Sequence, residues 1–174
     1  SDGLIRVLLV DDNAAMIYTL RTILEQYSNI EVVGEAVNGE EAIRRAEQLQ
    51  PNLVVMDIHM PKMDGIAATR LIRANLPRTV VLGLTTNMDR CFVDAMSEAG
   101  AINTLSKEYA ATELHGAIQC AVASVYPLLI RESTPVPTHP SVSYKRIDMK
   151  LAKQVRVLLV DDHGMVRQGL RAAL

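Results

Sequence analysis

With 174 residues, 49% of them hydrophobic, the chain holds one ordinary domain and a remainder, with apolar material for a real core. Its formal net charge of −2 gives no sign of the basic surface a nucleic acid or an acidic membrane would require, so no direct nucleic-acid contact is expected. Two cysteines, Cys91 and Cys120, lie far apart without a CxxC spacing, which argues against a disulfide frame or a metal site. They read as free thiols filling helices in a reducing compartment.

No stretch approaches the run of about 18 apolar residues that a membrane helix needs. The opening Ser1-Asp-Gly-Leu-Ile-Arg6 lacks the charged-then-apolar pattern of a signal peptide. It also starts without methionine, which implies processing or a chosen boundary upstream. A cytoplasmic protein with no membrane contact is expected.

Ile5 to Val10 is an apolar, β-branched-rich run that ends in Asp11-Asp12, and it predicts a strand buried on both faces. Asn13 offers a helix N-cap, and Met16, Ile17, Leu20, Ile23 and Leu24 follow at helical spacing. Glu31 to Ala36 reads as a shorter, more polar strand suited to a sheet edge. Asn38-Gly39 opens a second helix with Ala42, Ile43, Ala46 and Leu49 on its inner face, and Pro51-Asn52 breaks it.

Leu53 to Met56 then delivers Asp57 at the end of a buried strand, and Pro61 to Gly65 makes the turn beyond it. A third helix runs from Ile66 to Ala74. Thr79 to Leu84 is a fourth buried strand, ending in Thr85-Thr86, and a helix from about Asp89 to Ala99 stops at Gly100. Ile102 to Leu105 is a short fifth strand followed by Ser106-Lys107, and Thr112 to about Val125 is the last helix.

Strand and helix alternate five times, the signature of right-handed crossovers and a doubly wound, five-stranded parallel α/β sheet with helices on both faces. In such sheets ligands gather at the carboxyl ends of the strands. There the sequence places Asp11-Asp12, Asp57, Thr85 and Lys107; only the second strand ends in nothing reactive. Three carboxylates brought together repel one another, and a hard divalent cation with oxygen ligands relieves this, so the cluster predicts a Mg²⁺ site. A metal beside Asp57 would also neutralise an incoming phosphoryl group. Thr85 and Lys107 would hold its remaining oxygens, and Asp57 would be the nucleophile.

These residues, with Val7-Leu-Leu-Val-Asp11-Asp12, Val55-Met-Asp57-Ile-His-Met-Pro61-Lys-Met-Asp64-Gly65, Leu84-Thr85 and Ser106-Lys107, resemble the receiver domain of two-component response regulators over about residues 4 to 126. The step of 22 residues from Thr85 to Lys107 also matches and selects Thr85 over Thr86. The resemblance implies a flavodoxin-like fold with strand order 2-1-3-4-5. It implies that Asp57 accepts a phosphoryl group from a sensor histidine kinase or a phosphotransfer protein, and that the domain catalyses its own phosphorylation and dephosphorylation. Asp12, Asp57 and the backbone carbonyl of His59 would bind Mg²⁺, with Asp11 acting mainly through a water. Thr85 would contact the phosphoryl group and move inward to switch a surface.

Departures from the pattern shape the expectation. The position of the family's aromatic switch residue is Thr104, and a common proline after the lysine is replaced by Glu108. Glu108 and the Met56-to-Pro61 stretch resemble the subclass with helix-turn-helix outputs, which implies transcription regulation by a parent protein or partner. The His59 side chain is an unfit ligand for Mg²⁺; it either shields the acyl phosphate from water or is a solvated loop side chain.

Residues 127–154 read as a Pro/Ser/Thr-rich linker, extended in places and basic toward its end. Arg156 to Asp162 then repeats Arg6 to Asp12, and Leu170, Arg171 and Leu174 match Leu20, Arg21 and Leu24. Residues 155–174 thus look like the first strand and helix of a second, incomplete receiver, with Asp161 and Asp162 inactive. Such a pair cannot bury its apolar face alone. Either Val157 to Val160 pairs with a strand edge or a second copy, giving a homodimer, or the tail is a truncated tandem domain.

Two rivals stay open beside the phosphoryl-accepting receiver. One is a phosphorylation-independent interaction or dimerisation module. The other is a cofactor binder such as a flavin protein, which the Asp-Asp-Asn loop disfavours by repelling phosphate.

Overall fold

Six residues, Ile5–Val10, form strand β1, and all of them except Arg6 are fully buried. A strand enclosed on both faces demands such a continuous apolar run. Leu53–Asp57 (β3) and Val80–Thr85 (β4) are likewise buried at every position. Ile30–Ala36 (β2) and Asn103–Ser106 (β5) are the two edges. All four pairings are parallel and the order is β2-β1-β3-β4-β5, as the resemblance implies. In this computed structural model of the protein the described residues are 4–126; the expected linker and the partial repeat at 155–174 lie outside them.

Alternation along the strands sorts the core into two layers. Ile5, Val7 and Leu9 face Ala14–Leu24 (α1) and Ala110–Ala123 (α5) through Ile17, Leu20, Leu24, Leu114 and Ile118. Leu8 and Val10 face the opposite layer of Gly39–Leu49 (α2), Gly65–Asn75 (α3) and Arg90–Glu98 (α4) through Ala42, Ala46, Ala68, Ile72 and Met96. Each fully buried aliphatic side chain contributes about 1.5–3 kcal/mol. Every helix but α5 is started by a side chain: Asn13, Asn38, Asp64 and Asp89 accept from first-turn amides.

Several expected boundaries shift for identifiable reasons. β2 is the longest strand, at seven residues, and not a short one. Ile30 pairs with Ile5, and a bulge opposite Val7 and Leu8 takes up an extra residue. α4 starts at Arg90 because Asp89 is its cap. α5 starts at Ala110 because a 3₁₀ turn, Lys107–Tyr109, leads into it, with Ser106 Oγ accepting from the Glu108 amide at 3.3 Å. Cys91 and Cys120 do lie in helices, but both are exposed free thiols and not core filler. No helix among the described residues is long and apolar enough to cross a membrane.

On α5, His115 stacks on Tyr27, ring centroids 3.6 Å apart and planes 4° from parallel, and its Nε2 meets the Gln119 amide at 3.2 Å. Burial holds this imidazole below its ordinary value of 6.5. A histidine pKa depressed by folding stabilises the fold fully above the unfolded pKa, and that contribution is lost as pH falls through the folded one. Melting temperature should therefore drop on acidification below about pH 6.5. In His115→Gln the drop should be shallower, as thermal unfolding at stepped pH will read.

Candidate functional site

Strand register brings the chemistry together. Val10 lies opposite Met56, so Asp11 and Asp57 emerge side by side at the carboxyl ends of β1 and β3. Thr85 lies opposite Ser106 at the tips of β4 and β5, and Lys107 follows at once. Lys107 Nζ then reaches back to Asp11 Oδ2 at 2.6 Å and Asp57 Oδ2 at 2.9 Å. The lysine side chain is 11% exposed and the two acids 0% and 3%, so this pairing is made almost out of water.

The remaining oxygens are held by the turns that leave the strands. Asp11 Oδ1 accepts from the Asn13 N–H at 2.9 Å, and Asp57 Oδ1 accepts from the His59 N–H at 3.3 Å. Asp11 Oδ2, although close to the ammonium, meets no donor in hydrogen-bond geometry. Burial pushes the Asp57 carboxyl above the ordinary aspartate value and the charge of Asp11 adds to this; the hydrogen bond from Lys107 opposes both without cancelling them. For Lys107, burial pushes down, but Asp11 and Asp57 together push further up, so the ammonium stays charged.

Asp12 is exposed and completes the acidic set: Asp11, Asp12 and Asp57 each offer an oxygen, all within 4.8 Å of one another. Three carboxylates against one ammonium leave negative charge uncompensated. A hard cation with oxygen ligands fits that donor set.

Other predicted residues take different positions. Thr85 is buried, and its hydroxyl is closed onto Asn87, accepting from its N–H at 3.1 Å and donating to its carbonyl at 3.2 Å. The His59 side chain is exposed and meets Phe92 of α4 edge-on, centroids 4.6 Å apart. Thr104 is buried opposite Gly83. A Cβ on Gly83 would stand 2.8 Å from Thr104 Oγ1 and 2.9 Å from Met96 Cε, so this space is already filled by small groups.

Sequence reasoning passed over some contributors. Gly65 is needed because a Cβ there would lie 1.9 Å from the Asp57 carbonyl oxygen. Its N–H donates to the Ile58 carbonyl at 2.9 Å, closing the turn that aims Asp57. The Asp-Gly pair read only as a turn. Asn13 does double service, capping α1 with its side chain and holding Asp11 with its N–H. Asn87 and Phe92 carried no signal at all.

Removing one partner from a buried ion pair leaves a charge unmet and costs about 3–5 kcal/mol. Lys107→Met should cost near the low end, about 3 kcal/mol, because Asp12 leaves the site open to water on one side. In urea unfolding with EDTA present, adding Asp57→Asn should restore a large part of that loss. Additive losses in the double variant would show that the pair is not coupled.

Comparison with known proteins bears on the family and the fold. A model of the response regulator receiver domain matches residues 7–119. The transcriptional regulatory protein LiaR of Bacillus subtilis is 41% identical over 118 residues, which are 68% of this chain and 56% of that protein. A protein-glutamate methylesterase/protein-glutamine glutaminase of Alkalilimnicola ehrlichii is 41% identical over 108 residues, 61% of this chain and 27% of that protein. The chain thus spans between about a quarter and a half of the length of these relatives. In a crystal structure of a LuxR-family two-component response regulator from Aurantimonas sp., the fold superposes with a TM-score of 0.67 at 33% identity, covering 70% of this chain and 86% of that one. Matched in sequence and in fold, the chain belongs to the response regulator receiver domain family.

Proposed function

We propose that Asp57 is the phosphoacceptor and that the domain takes its phosphoryl group from the phosphohistidine of a sensor kinase or phosphotransfer protein. The observation that carries this reading is the buried Lys107 ammonium shared between Asp11 and Asp57, 2.6 and 2.9 Å away. In the reaction a carboxylate oxygen of Asp57 forms a bond to phosphorus while the phosphorus–nitrogen bond to the donor imidazole breaks. The imidazole keeps the bonding electron pair and takes a proton from water. Lys107, already charged and beside Asp57, then turns from the carboxylates to pair with a phosphoryl oxygen. Asp11, Asp12 and Asp57, with the His59 backbone carbonyl, would hold Mg²⁺. When bound, that ion neutralises the carboxylates and the phosphoryl oxygens.

The Thr85 hydroxyl contacts the phosphoryl group in this reading. Thr104, packed against Gly83, follows by packing and not by an aromatic flip. Hydrolysis of the acyl phosphate at the same residues makes the domain its own phosphatase.

For the wider protein we assign a cytoplasmic signalling role with transcription regulation as output, as the name of LiaR suggests for that relative. Residues 127–154 are assigned as a linker and 155–174 as the start of a second receiver, either a truncated tandem domain or an element through which two copies pair; direct nucleic-acid contact is left to a partner or attached domain.

Acetyl phosphate with Mg²⁺ should add one phosphoryl group by intact mass. Asp57→Asn and addition of EDTA should each abolish the gain, and a retained gain in Asp57→Asn would move the acceptor elsewhere. Once formed, the acyl phosphate should decay severalfold faster in His59→Asn, by timed mass measurement, if the ring that meets Phe92 edge-on shields it from water. An unchanged lifetime makes His59 a solvated side chain only.

A further inference from the structure

At the amino ends of β3 and β4, the end of the sheet opposite Asp57, Pro51, Leu76, Pro77, Thr79 and Tyr126 line an open groove of about 430 Å³. Most polar groups of its walls are already paired. Thr79 Oγ1 donates to the Pro51 carbonyl at 3.0 Å, and Arg73 Nη1 donates to the Pro77 and Thr79 carbonyls at 2.7 Å each. The Leu76 carbonyl accepts from the Thr79 N–H, and the Arg78 carbonyl from the Tyr126 hydroxyl at 2.9 Å. The rim carboxamides of Gln50 and Asn75 both donate to Glu47. What the two prolines, Leu76 and the Tyr126 ring still offer is apolar surface, which favours an apolar occupant.

Tyr126 fixes where the chain meets this groove. Its ring packs against the core, its N–H donates to the Val122 carbonyl at 2.7 Å, and the Arg78 guanidinium stands 5.3 Å from its centroid. Pro127 follows and has no N–H with which to continue the helix. Next come Leu128, Leu129 and Ile130, ahead of the Pro/Ser/Thr-rich stretch that opens at Arg131. Four residues reach about 14 Å at most, so these side chains stay near the wall that Tyr126 builds.

We propose that Leu128 to Ile130 dock in this groove of their own chain. So short a tether sets an effective concentration of about a millimolar, above that of a second copy in dilute solution. The linker then starts at Arg131 and leaves the domain on the side remote from Asp57. This refines the linker assignment and draws nothing from the phosphoacceptor reading.

Timed maleimide labelling of the full chain tests the docking. In a Cys91→Ser, Cys120→Ser background, Leu128→Cys, Leu129→Cys, Ile130→Cys and Ser133→Cys are compared one at a time. Labelling tracks thiol exposure, and cysteine is apolar enough to keep its place. At least one of the first three should label about tenfold more slowly than Ser133→Cys, and urea should remove the difference. Adding Pro77→Asp, an exposed position where the new charge faces the groove, should bring that thiol to within about twofold of the reference. Pro77→Ser should not, which separates the charge from loss of the ring.

Equal rates at all four positions overturn the docking. So does protection that ignores Pro77→Asp. Protection that grows with protein concentration overturns it too, by making a second copy the occupant. Slow labelling at 133 as well counts against the linker assignment instead, and the response to Pro77→Asp then decides the docking.

Discussion

One ammonium group serves two buried carboxylates, and much of the architecture exists to make that tolerable. Taking ions out of water costs several kcal/mol each, and the attraction between them offsets this only where geometry is good and the spare lone pairs find donors. Here the Asn13 and His59 amides meet the far oxygens of Asp11 and Asp57. Both amides belong to the residues that turn the chain away from its strand, so the length of each turn is part of the electrostatics. Gly65 matters for the same reason, since a side chain there would displace the Asp57 carbonyl and with it the aim of the acid.

Sheet order explains why these groups meet at all. β1 and β3 are neighbours at the centre of the sheet, and the connections leaving them run to opposite sides. That reversal opens a crevice at their carboxyl ends, and Asp11 and Asp57 stand on its two walls. Lys107 comes from beyond β5, so its long side chain must cross the tip of β4 to reach them. The arrangement is short of positive charge: three acids face one base.

Much of this was legible in the amino-acid order. Continuous apolar runs marked β1, β3 and β4 because burial on both faces leaves no room for polar residues, and the residue types at the strand tips named the chemistry. What stayed hidden was whatever depends on a partner distant along the chain or on a local turn. β2 looked one residue shorter because Ile30, which opens it, is set by its pairing with Ile5 and not by anything local. Both cysteines looked like filler because a helical position does not reveal which face it occupies. Asn87 gave no signal: an asparagine two residues past a threonine is common, and only the closed hydroxyl shows that it holds something.

The two halves of α4 are held by different physics. Met96 is fully buried, and Gly83 and the small Thr104 leave it room to sit close on β4 and β5. A side chain at 83 would have to displace both Met96 and Thr104, so this end is fixed by close packing, which resists gradual deformation. At the other end Phe92 is only partly buried and touches the exposed His59 ring, and the segment ahead of it relies on hydrogen bonds facing water. Edge-to-face contacts and exposed hydrogen bonds are each worth about 1 kcal/mol, several-fold less than a buried methionine side chain loses on truncation. On the proposed phosphoacceptor reading, a change at Asp57 would reach this weaker end through the Thr85 hydroxyl and the His59 backbone. With the other end held by packing, such a change would loosen α4 from its first turn. Such a helix can report the state of a buried carboxylate without an aromatic side chain changing places.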